Sequence, residues 1–180
     1  MRVIGGEFRS RILKSLPGLD VRPTPDRLRE TLFNILAPRI AGKVFADVYA
    51  GTGAVGIEAI SRGARRAIFV ESNRAAGNVI RENLRSLNAM DRAELRVTRA
   101  AAAVPQIEAD IVFLDPPYRL ANEYERSLDM LAERPPELVI AQHSSKLDLK
   151  ESYGPLQRVR VVKQGDNALS FYQPLDESPR

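Results

Sequence analysis

Hydrophobic and polar residues follow two different periods along the chain. Downstream of Lys43, short apolar runs alternate with segments whose apolar residues recur every three or four positions. Short apolar runs bounded by turn residues are typical of buried strands, and the longer period is typical of amphipathic helices. The runs that predict strands are VFADVYA, RAIFVE, ELRVT, DIVFLD and ELVIAQ. Helical patterns at about 54–62 and 73–88 follow the first two runs, which predicts an α/β protein.

The two ends of the chain have patterns of their own. RVIGGEFRSRILKS predicts two short extended runs around Gly5-Gly6, a dipeptide suited to a tight hairpin turn. Several prolines follow, and we expect Asp26 to cap a helix that runs from Arg27 to Leu36. At the other end, LQRVRVVKQGDNALSFYQP has two alternating runs around GDN, which predicts a closing antiparallel hairpin and brings the expected strands of the sheet to seven.

The amino-acid composition limits the classes of protein and of catalytic or metal site that the chain can form. A length of 180 residues, with 44% hydrophobic and 28% charged residues, predicts one ordinary globular domain. The chain has no cysteine and a single histidine, His143, which excludes disulfides, thiolate nucleophiles and typical zinc sites, so we expect no metal. The N-terminus lacks the apolar core of a signal peptide, and no run approaches about 20 apolar residues. We therefore expect a cytoplasmic protein without a membrane partner.

Positive charge is concentrated at the start of the chain. Residues 1–40 carry eight basic and four acidic side chains, whereas the remainder is balanced. A basic arm favours a polyanionic partner, because Lys and Arg neutralise phosphates and release counterions. A solvated arginine-rich face is the alternative. The candidate RNA contacts on this arm are Arg2, Phe8, Arg9, Arg11 and Lys14.

A glycine-rich turn gives the first chemical motif. Asp47 to Gly56, DVYAGTGAVG, joins a predicted strand to a predicted helix and fits G-x-G-x-x-G. Glycines let the backbone approach a ligand, and the helix amides favour negative groups. Glu71 ends the next strand, 20 residues after Gly51, where a carboxylate can bind both ribose hydroxyls. The motif predicts an adenosine cofactor.

Nicotinamide dinucleotides and S-adenosylmethionine share this architecture. Asp47 favours the second, because its carboxylate can receive the ammonium group of a methionine moiety and would repel a pyrophosphate. Capping of the loop by Asp47 is the structural alternative.

A second motif, Asp115-Pro116-Pro117-Tyr118, follows the most apolar predicted strand. Ligand sites of open α/β sheets gather at the carboxyl ends of strands, so this tetrad is expected to face the cofactor. The prolines lack N–H donors, which leaves carbonyls as uncontested acceptors beside the Asp115 carboxylate. Such acceptors favour a pyramidal exocyclic amine with its lone pair aimed at a sulfonium methyl group. Tyr118 offers a ring on which an extruded base can stack.

Several segments together resemble a known family. RVIGGEFRSR, VRPTPDRLRETLFNIL, DVYAGTGAVGIEAISRGA, FVES and FLDPPY resemble the RsmD family, bacterial enzymes that methylate N2 of a guanine in 16S small-subunit ribosomal RNA with S-adenosylmethionine. The resemblance covers nearly the whole chain. It implies a Rossmann-like class I methyltransferase fold, with a mostly parallel seven-stranded sheet whose last strand is antiparallel. It also implies a basic hairpin extension over residues 1–22, a methyltransferase domain over 23–180, and ribosomal RNA within a small-subunit assembly particle as partner.

The resemblance also implies roles for individual residues. The loop would hold the methionine half of the cofactor, Glu71 with Ser72 beside it would bind the ribose, and Thr24 would lie at the methionine tail. The tetrad would bind the target amine and base. An acidic residue that the family has after the third strand is replaced here by VTRAAAAV, so backbone groups around Ala100 are the candidates for adenine. The loop residues concerned are Asp47, Tyr49, Ala50, Gly51, Thr52, Gly53 and Gly56.

Other functions remain open at this point. The tetrad alone is shared with methyltransferases that act on adenine N6 in DNA or RNA. The loop alone permits a nicotinamide-dependent oxidoreductase, and the basic arm alone permits a noncatalytic RNA-binding module. A serine hydrolase built on His143 is not expected, because no G-x-S-x-G turn accompanies it.

Overall fold

The computed structural model describes residues 1–18, 25–117 and 119–176. Within these ranges the α-helices are α1 (Asp26–Leu36), α2 (Ala54–Ser61), α3 (Arg74–Ser86), α4 (Ala100–Ala103) and α5 (Asn122–Glu133). The strands are β1 (Val44–Val48), β2 (Arg66–Glu71), β3 (Ala93–Val97), β4 (Ile111–Leu114), β5 (Leu138–Ser144), β6 (Ser152–Tyr153), β7 (Leu156–Gln164) and β8 (Asn167–Pro174). None of the helices in the described ranges is long and apolar enough to span a membrane.

In the described part of the chain, eight strands form one sheet in the order β3-β2-β1-β4-β5-β8-β7-β6. Strands β1 to β5 are parallel, and β8 runs antiparallel to both β5 and β7. The predicted sheet, with its antiparallel last strand, is confirmed. It has one more strand than predicted, because β6 contains two residues and is too short to produce a periodic pattern. The connections diverge between β1 and β4, which creates a switch point at their carboxyl ends.

Helices cover both faces of the sheet. Alternate residues of each strand point to opposite faces, so Phe45 and Phe113 pack with α1 and α2, whereas Val48 and Leu114 pack on the side of α5. Helix α5 was not among the predicted elements, although Tyr124 and Leu128 on its buried face are four residues apart. Burial on both faces explains why the central strands are almost wholly apolar.

The N-terminal arm, residues 1–14, is packed against the body of the protein. Its two runs meet in a single antiparallel bridge between Arg2 and Ile12 rather than in a regular hairpin. The prediction of a tight turn at Gly5-Gly6 is wrong, because a longer loop joins the two runs. Gly6 has a positive φ of 78°, whereas the φ of Gly5 is not positive. The loop is shaped by bonds to α2, including Glu7 N–H to the Ser61 carbonyl at 2.8 Å. The predicted boundary between 22 and 23 lies outside the described residues.

Helix α1 differs from expectation at its start. Asp26 is the first helical residue, and Pro25 occupies the capping position. The Asp26 carboxylate contacts the Arg29 guanidinium at 3.2 Å, and no side chain at the capping position bonds the helix. The prediction that Asp26 caps the helix is therefore wrong, because the helix begins one residue earlier than the sequence suggested.

Candidate functional site

The glycine loop turns sharply between β1 and α2. Gly51 and Gly53 have φ values of 59° and 84°, a region that side chains with a Cβ rarely enter. Gly56 is required for a different reason: a Cβ there would lie 2.3 Å from Cε1 of Phe69, so α2 packs on β2 only because this residue has no side chain. The three glycines of the motif thus set the turn and the close helix–strand contact.

Glu71 lies directly beside this loop. Its Oε2 accepts from the Gly51 N–H at 2.7 Å, and its Oε1 accepts from the Asn73 N–H at 2.8 Å. These bonds orient the carboxylate at the carboxyl end of β2, next to β1. A carboxylate has about four acceptor positions, so capacity remains for the hydroxyls of a ribose.

Asp47 is 1% exposed and its Oδ2 accepts from the Gly56 N–H at 2.9 Å. One of its oxygens therefore ties β1 to α2, which is the structural role considered for it. Burial raises the pKa of Asp47 well above its ordinary value, and the nearby carboxylates of Asp115 and Glu71 raise this pKa further. The carboxylates of Glu71, at the end of β2, and Asp115, after β4, thus lie close enough to Asp47 to disfavour its charge, which favours a cationic ligand beside it.

Tyr49 also has a positive φ, of 65°, at the turn after β1. Its hydroxyl lies 2.9 Å from both Glu123 Oε2 and Ser127 Oγ on α5. Burial raises the pKa of this phenol. The hydroxyl of Tyr49 is therefore occupied by α5, and only its backbone remains a candidate for the expected cofactor contact.

Other predicted cofactor residues lie along the same edge of the sheet. The Ala50 N–H is bound to the Val70 carbonyl at 2.9 Å, which fixes the loop to β2. Thr52 is buried and Ser72 is exposed directly after Glu71. Ala100, the candidate for the adenine contact, begins α4 just beyond β3.

Asp115 directly follows β4, with its N–H 3.4 Å from the Val48 carbonyl. Pro116 is buried and Pro117 is exposed. The Pro117 carbonyl accepts from the Leu120 N–H at 2.8 Å, so the expectation that both proline carbonyls are uncontested is wrong for Pro117. The chain turns back here to begin α5, and that turn uses the carbonyl. Tyr118 and Thr24 lie outside the described residues.

The basic arm exposes most of its predicted contacts. Arg2, Arg9, Arg11 and Lys14 are exposed, with Arg11 donating to the Ser86 carbonyl and Lys14 Nζ lying 2.8 Å from Glu82. Phe8 does not fit its predicted role.

The ring of Phe8 is 6% exposed, and the Arg92 guanidinium lies 5.3 Å from its centroid. The expected contact of Phe8 with RNA is therefore contradicted, because this ring is packed in the core together with Val3 and Leu13. Glu7 pairs with Arg92 at 2.9 Å, rather than with the arginines of the arm.

The residues that hold the arm were not among those predicted from the sequence. Glu58 is fully buried on α2 and accepts from the N–H groups of Ile4 and Gly5, each at 2.9 Å. Its carboxylate also lies 2.9 Å from Arg62 Nε and 3.8 Å from Arg29 Nε. In the sequence, Glu58 is a charged residue inside the otherwise apolar segment AVGIEAIS, and this feature could have indicated a buried contact.

His143 has an ordinary structural role. Its Nε2 lies 2.7 Å from Ser170 Oγ and its Nδ1 lies 2.8 Å from the Ser144 carbonyl. Burial lowers the pKa of the imidazole. Among the described residues, no three acidic or histidine side chains are grouped to hold a metal ion.

Comparisons with known proteins agree with this architecture. The family model described as Conserved hypothetical protein 95 matches residues 1–173. The chain is 36% identical over 138 residues to the Haemophilus influenzae protein Ribosomal RNA small subunit methyltransferase D, covering 74% of this chain and 71% of that one. It is 35% identical to the solved structure of the Escherichia coli protein yhhF, with a TM-score of 0.84 and 97% of each chain covered.

A more distant solved structure shares the fold. It is an RNA methyltransferase from Salinibacter ruber in complex with S-adenosyl-L-homocysteine, 18% identical, with a TM-score of 0.68, covering 88% of this chain and 97% of that one. The resemblance seen in the sequence motifs is confirmed by the family model and the closer relatives. The chain belongs to the RsmD family, whose matched model is described as Conserved hypothetical protein 95.

Proposed function

We propose that this protein transfers a methyl group from S-adenosylmethionine to the exocyclic N2 amine of a guanine in 16S ribosomal RNA, within a small-subunit assembly particle. The observation that carries the proposal is the convergence of the glycine loop, Glu71 and Asp115 at the switch point of the sheet. The names of the relatives support ribosomal RNA methylation, and the family resemblance supports guanine N2.

The charge at the switch point supports the cofactor. S-adenosylmethionine presents an ammonium and a sulfonium group, both of which are favoured near Asp47, Glu71 and Asp115. A nicotinamide dinucleotide would instead bring a pyrophosphate to these carboxylates. When bound, the cofactor supplies an electrophilic methyl group on a positively charged sulfur. Glu71, whose carboxylate accepts from the N–H groups of Gly51 and Asn73, is the proposed partner of the ribose hydroxyls.

Asp115 and the Pro116 carbonyl are the proposed acceptors for the target amine. The lone pair of a guanine amine is delocalised into the ring, which makes the nitrogen a weak nucleophile. Two acceptors on its N–H groups favour a pyramidal nitrogen whose lone pair can attack the methyl carbon. Bound there, the cofactor would supply the methyl group, and the Asp115 carboxylate would stay hydrogen-bonded to the amine while the nitrogen loses a proton to solvent.

The exposed arm is the proposed RNA contact. Arg2, Arg9, Arg11 and Lys14 can each neutralise a phosphate, whereas buried Phe8 is left out of the interface. The arm is itself bonded to α2 and α3, which fixes where these side chains leave the surface.

One experiment separates the proposal from its alternatives. The protein is incubated with S-adenosylmethionine labelled in the methyl group and with undermodified 16S ribosomal RNA, and cofactor binding is measured in parallel. We expect S-adenosylmethionine binding and label in the RNA. Tight nicotinamide binding without S-adenosylmethionine binding would support an oxidoreductase instead, and RNA binding without transfer would support a noncatalytic module.

A further inference from the structure

Asn83 connects the N-terminal arm to the glycine loop. It lies on α3 and is 1% exposed. Its Oδ1 accepts from the Lys14 N–H at 2.7 Å, while its Nδ2 donates to the Lys14 carbonyl at 3.1 Å and to the Thr52 carbonyl at 3.2 Å. One buried side chain therefore binds the backbone of the basic arm and the backbone of the cofactor loop.

The same helix reaches the cofactor site a second time. Asn73 caps α3 by accepting from the Ala76 N–H, and its own N–H is bound to Glu71. Helix α3 thus joins the proposed ribose carboxylate at its start to Thr52 near its end, through Asn83. In the same last turn, the Glu82 carboxylate and the Ser86 carbonyl contact the side chains of Lys14 and Arg11.

We propose that Asn83 is a positioning residue that couples RNA binding on the arm to cofactor binding at the glycine loop. This inference rests on the proposed function, since it takes the arm as the RNA contact and the loop as the cofactor site. Phosphates bound to the arginines of the arm, such as Arg11, hold the arm against α3 and so preserve all three bonds of the Asn83 amide. Those bonds hold Thr52 in place before the cofactor arrives, which reduces the ordering that cofactor binding must impose.

Coupling of this kind is reciprocal. If RNA tightens cofactor binding by some factor, the cofactor must tighten RNA binding by the same factor. The physical link is short, because Lys14 and Thr52 are both bonded to one amide. Removal of that amide leaves the two backbone segments without a shared partner.

The test measures the coupling factor directly. The dissociation constant of S-adenosylhomocysteine, which cannot be turned over, is determined by calorimetry with and without undermodified 16S ribosomal RNA. For the unaltered protein we expect RNA to tighten cofactor binding by about 5-fold or more. For Asn83→Ala we expect this factor to fall below about 2-fold, with the rate of transfer at saturating substrates less affected than the apparent KM values.

Lys14→Ala is the matched control. It removes the side chain that contacts Glu82 and keeps the backbone groups that bind Asn83, so RNA binding should weaken while the coupling factor survives. If Asn83→Ala does not fold, Lys14→Pro is the second variant. It removes the backbone N–H of the exposed residue 14 that donates to Asn83 Oδ1, and it should lower the coupling factor in the same way.

The outcomes are distinguishable from those of the proposed function. A protein that binds cofactor and methylates RNA, but shows a coupling factor near one or an undiminished factor in Asn83→Ala, overturns the inference and leaves the proposed function standing. A protein that binds neither the cofactor nor the RNA overturns both.

Discussion

At the scale of single residues, Asp115 is proposed to act in the chemical step and Asp47 in cofactor binding. Both are acidic and lie at the same edge of the sheet, but Asp47 is bonded to α2 and nearly inaccessible, whereas Asp115 is partly exposed in the motif that is proposed to meet the base. Their substitutions should therefore have different effects.

Asp115→Ala should nearly abolish methyl transfer and leave the affinity for S-adenosylmethionine little changed, because this carboxylate is proposed to act on the target amine. Asp115→Asn should be milder, since the amide oxygen keeps one acceptor. Steady-state rates and calorimetric cofactor binding check both statements. A comparable loss of cofactor affinity in Asp115→Ala would show that this side chain binds the cofactor instead.

Cofactor affinity should depend on the ionisation of Asp47. The pKa of Asp47 is raised by burial and by two neighbouring carboxylates, and a bound cation favours its charged form. Binding should therefore strengthen as pH rises through this pKa, with release of a proton. Calorimetry in buffers of different ionisation enthalpy measures that release. In Asp47→Asn, the pH dependence of cofactor affinity should disappear. Its persistence would assign that dependence to another group.

Tyr118 provides a test of base stacking that follows from the sequence motif. Tyr118→Ala should slow transfer through loss of the ring face, worth about 1–3 kcal/mol for a stacked base, and Tyr118→Phe should restore most of the rate. Single-turnover rates compare the two. If Phe is as slow as Ala, the hydroxyl is required and the stacking explanation is wrong.

At the scale of elements, the sequence predicted the sheet well because local pattern and tertiary environment agree there. Apolar runs such as Ile111–Leu114 are buried on both faces, and the glycine loop has the φ values that its glycines indicate. Contacts between distant segments could not be predicted from the local sequence pattern. The bonds from Glu58 and Asn83 to the arm span more than 50 residues, and nothing local to either residue names its partner.

The contact between α2 and β2 can be tested at Gly56. Gly56→Ala places a Cβ against the ring of Phe69, so α2 must shift, and overpacking of this kind costs about 1–3 kcal/mol of the free energy of unfolding. Chemical denaturation measures the loss. Adding Phe69→Leu in the same protein should recover part of it, whereas an additive loss in the double variant would contradict a steric cause.

At the scale of the whole molecule, the arm belongs to the fold as well as to the proposed interface. Val3, Phe8 and Leu13 are buried in a core cluster that includes residues of α2 and α3, so deletion of residues 1–15 would expose that core and remove the partners of Glu58 and Asn83. A deletion therefore cannot separate RNA binding from stability.

Neutralising exposed arginines is the sharper test of the arm. Arg2→Gln and Arg9→Gln should weaken binding to 16S ribosomal RNA without changing cofactor affinity in the absence of RNA. Each lost phosphate contact should reduce the slope of log affinity against log salt by about 0.7–0.9. Arg134→Gln is the control, because Arg134 is also exposed but lies outside the arm and pairs with Glu108. Equal salt slopes for all three variants and the unaltered protein would place RNA recognition elsewhere.

The central claim is that the switch point of this sheet methylates a guanine amine of ribosomal RNA. Its most direct test is nucleoside analysis by mass spectrometry of undermodified 16S ribosomal RNA after incubation with the protein and S-adenosylmethionine. The account predicts N2-methylguanosine at one position with the unaltered protein and almost none with Asp115→Ala. N6-methyladenosine, or no methylated nucleoside from an RNA-bound and cofactor-bound protein, would contradict it.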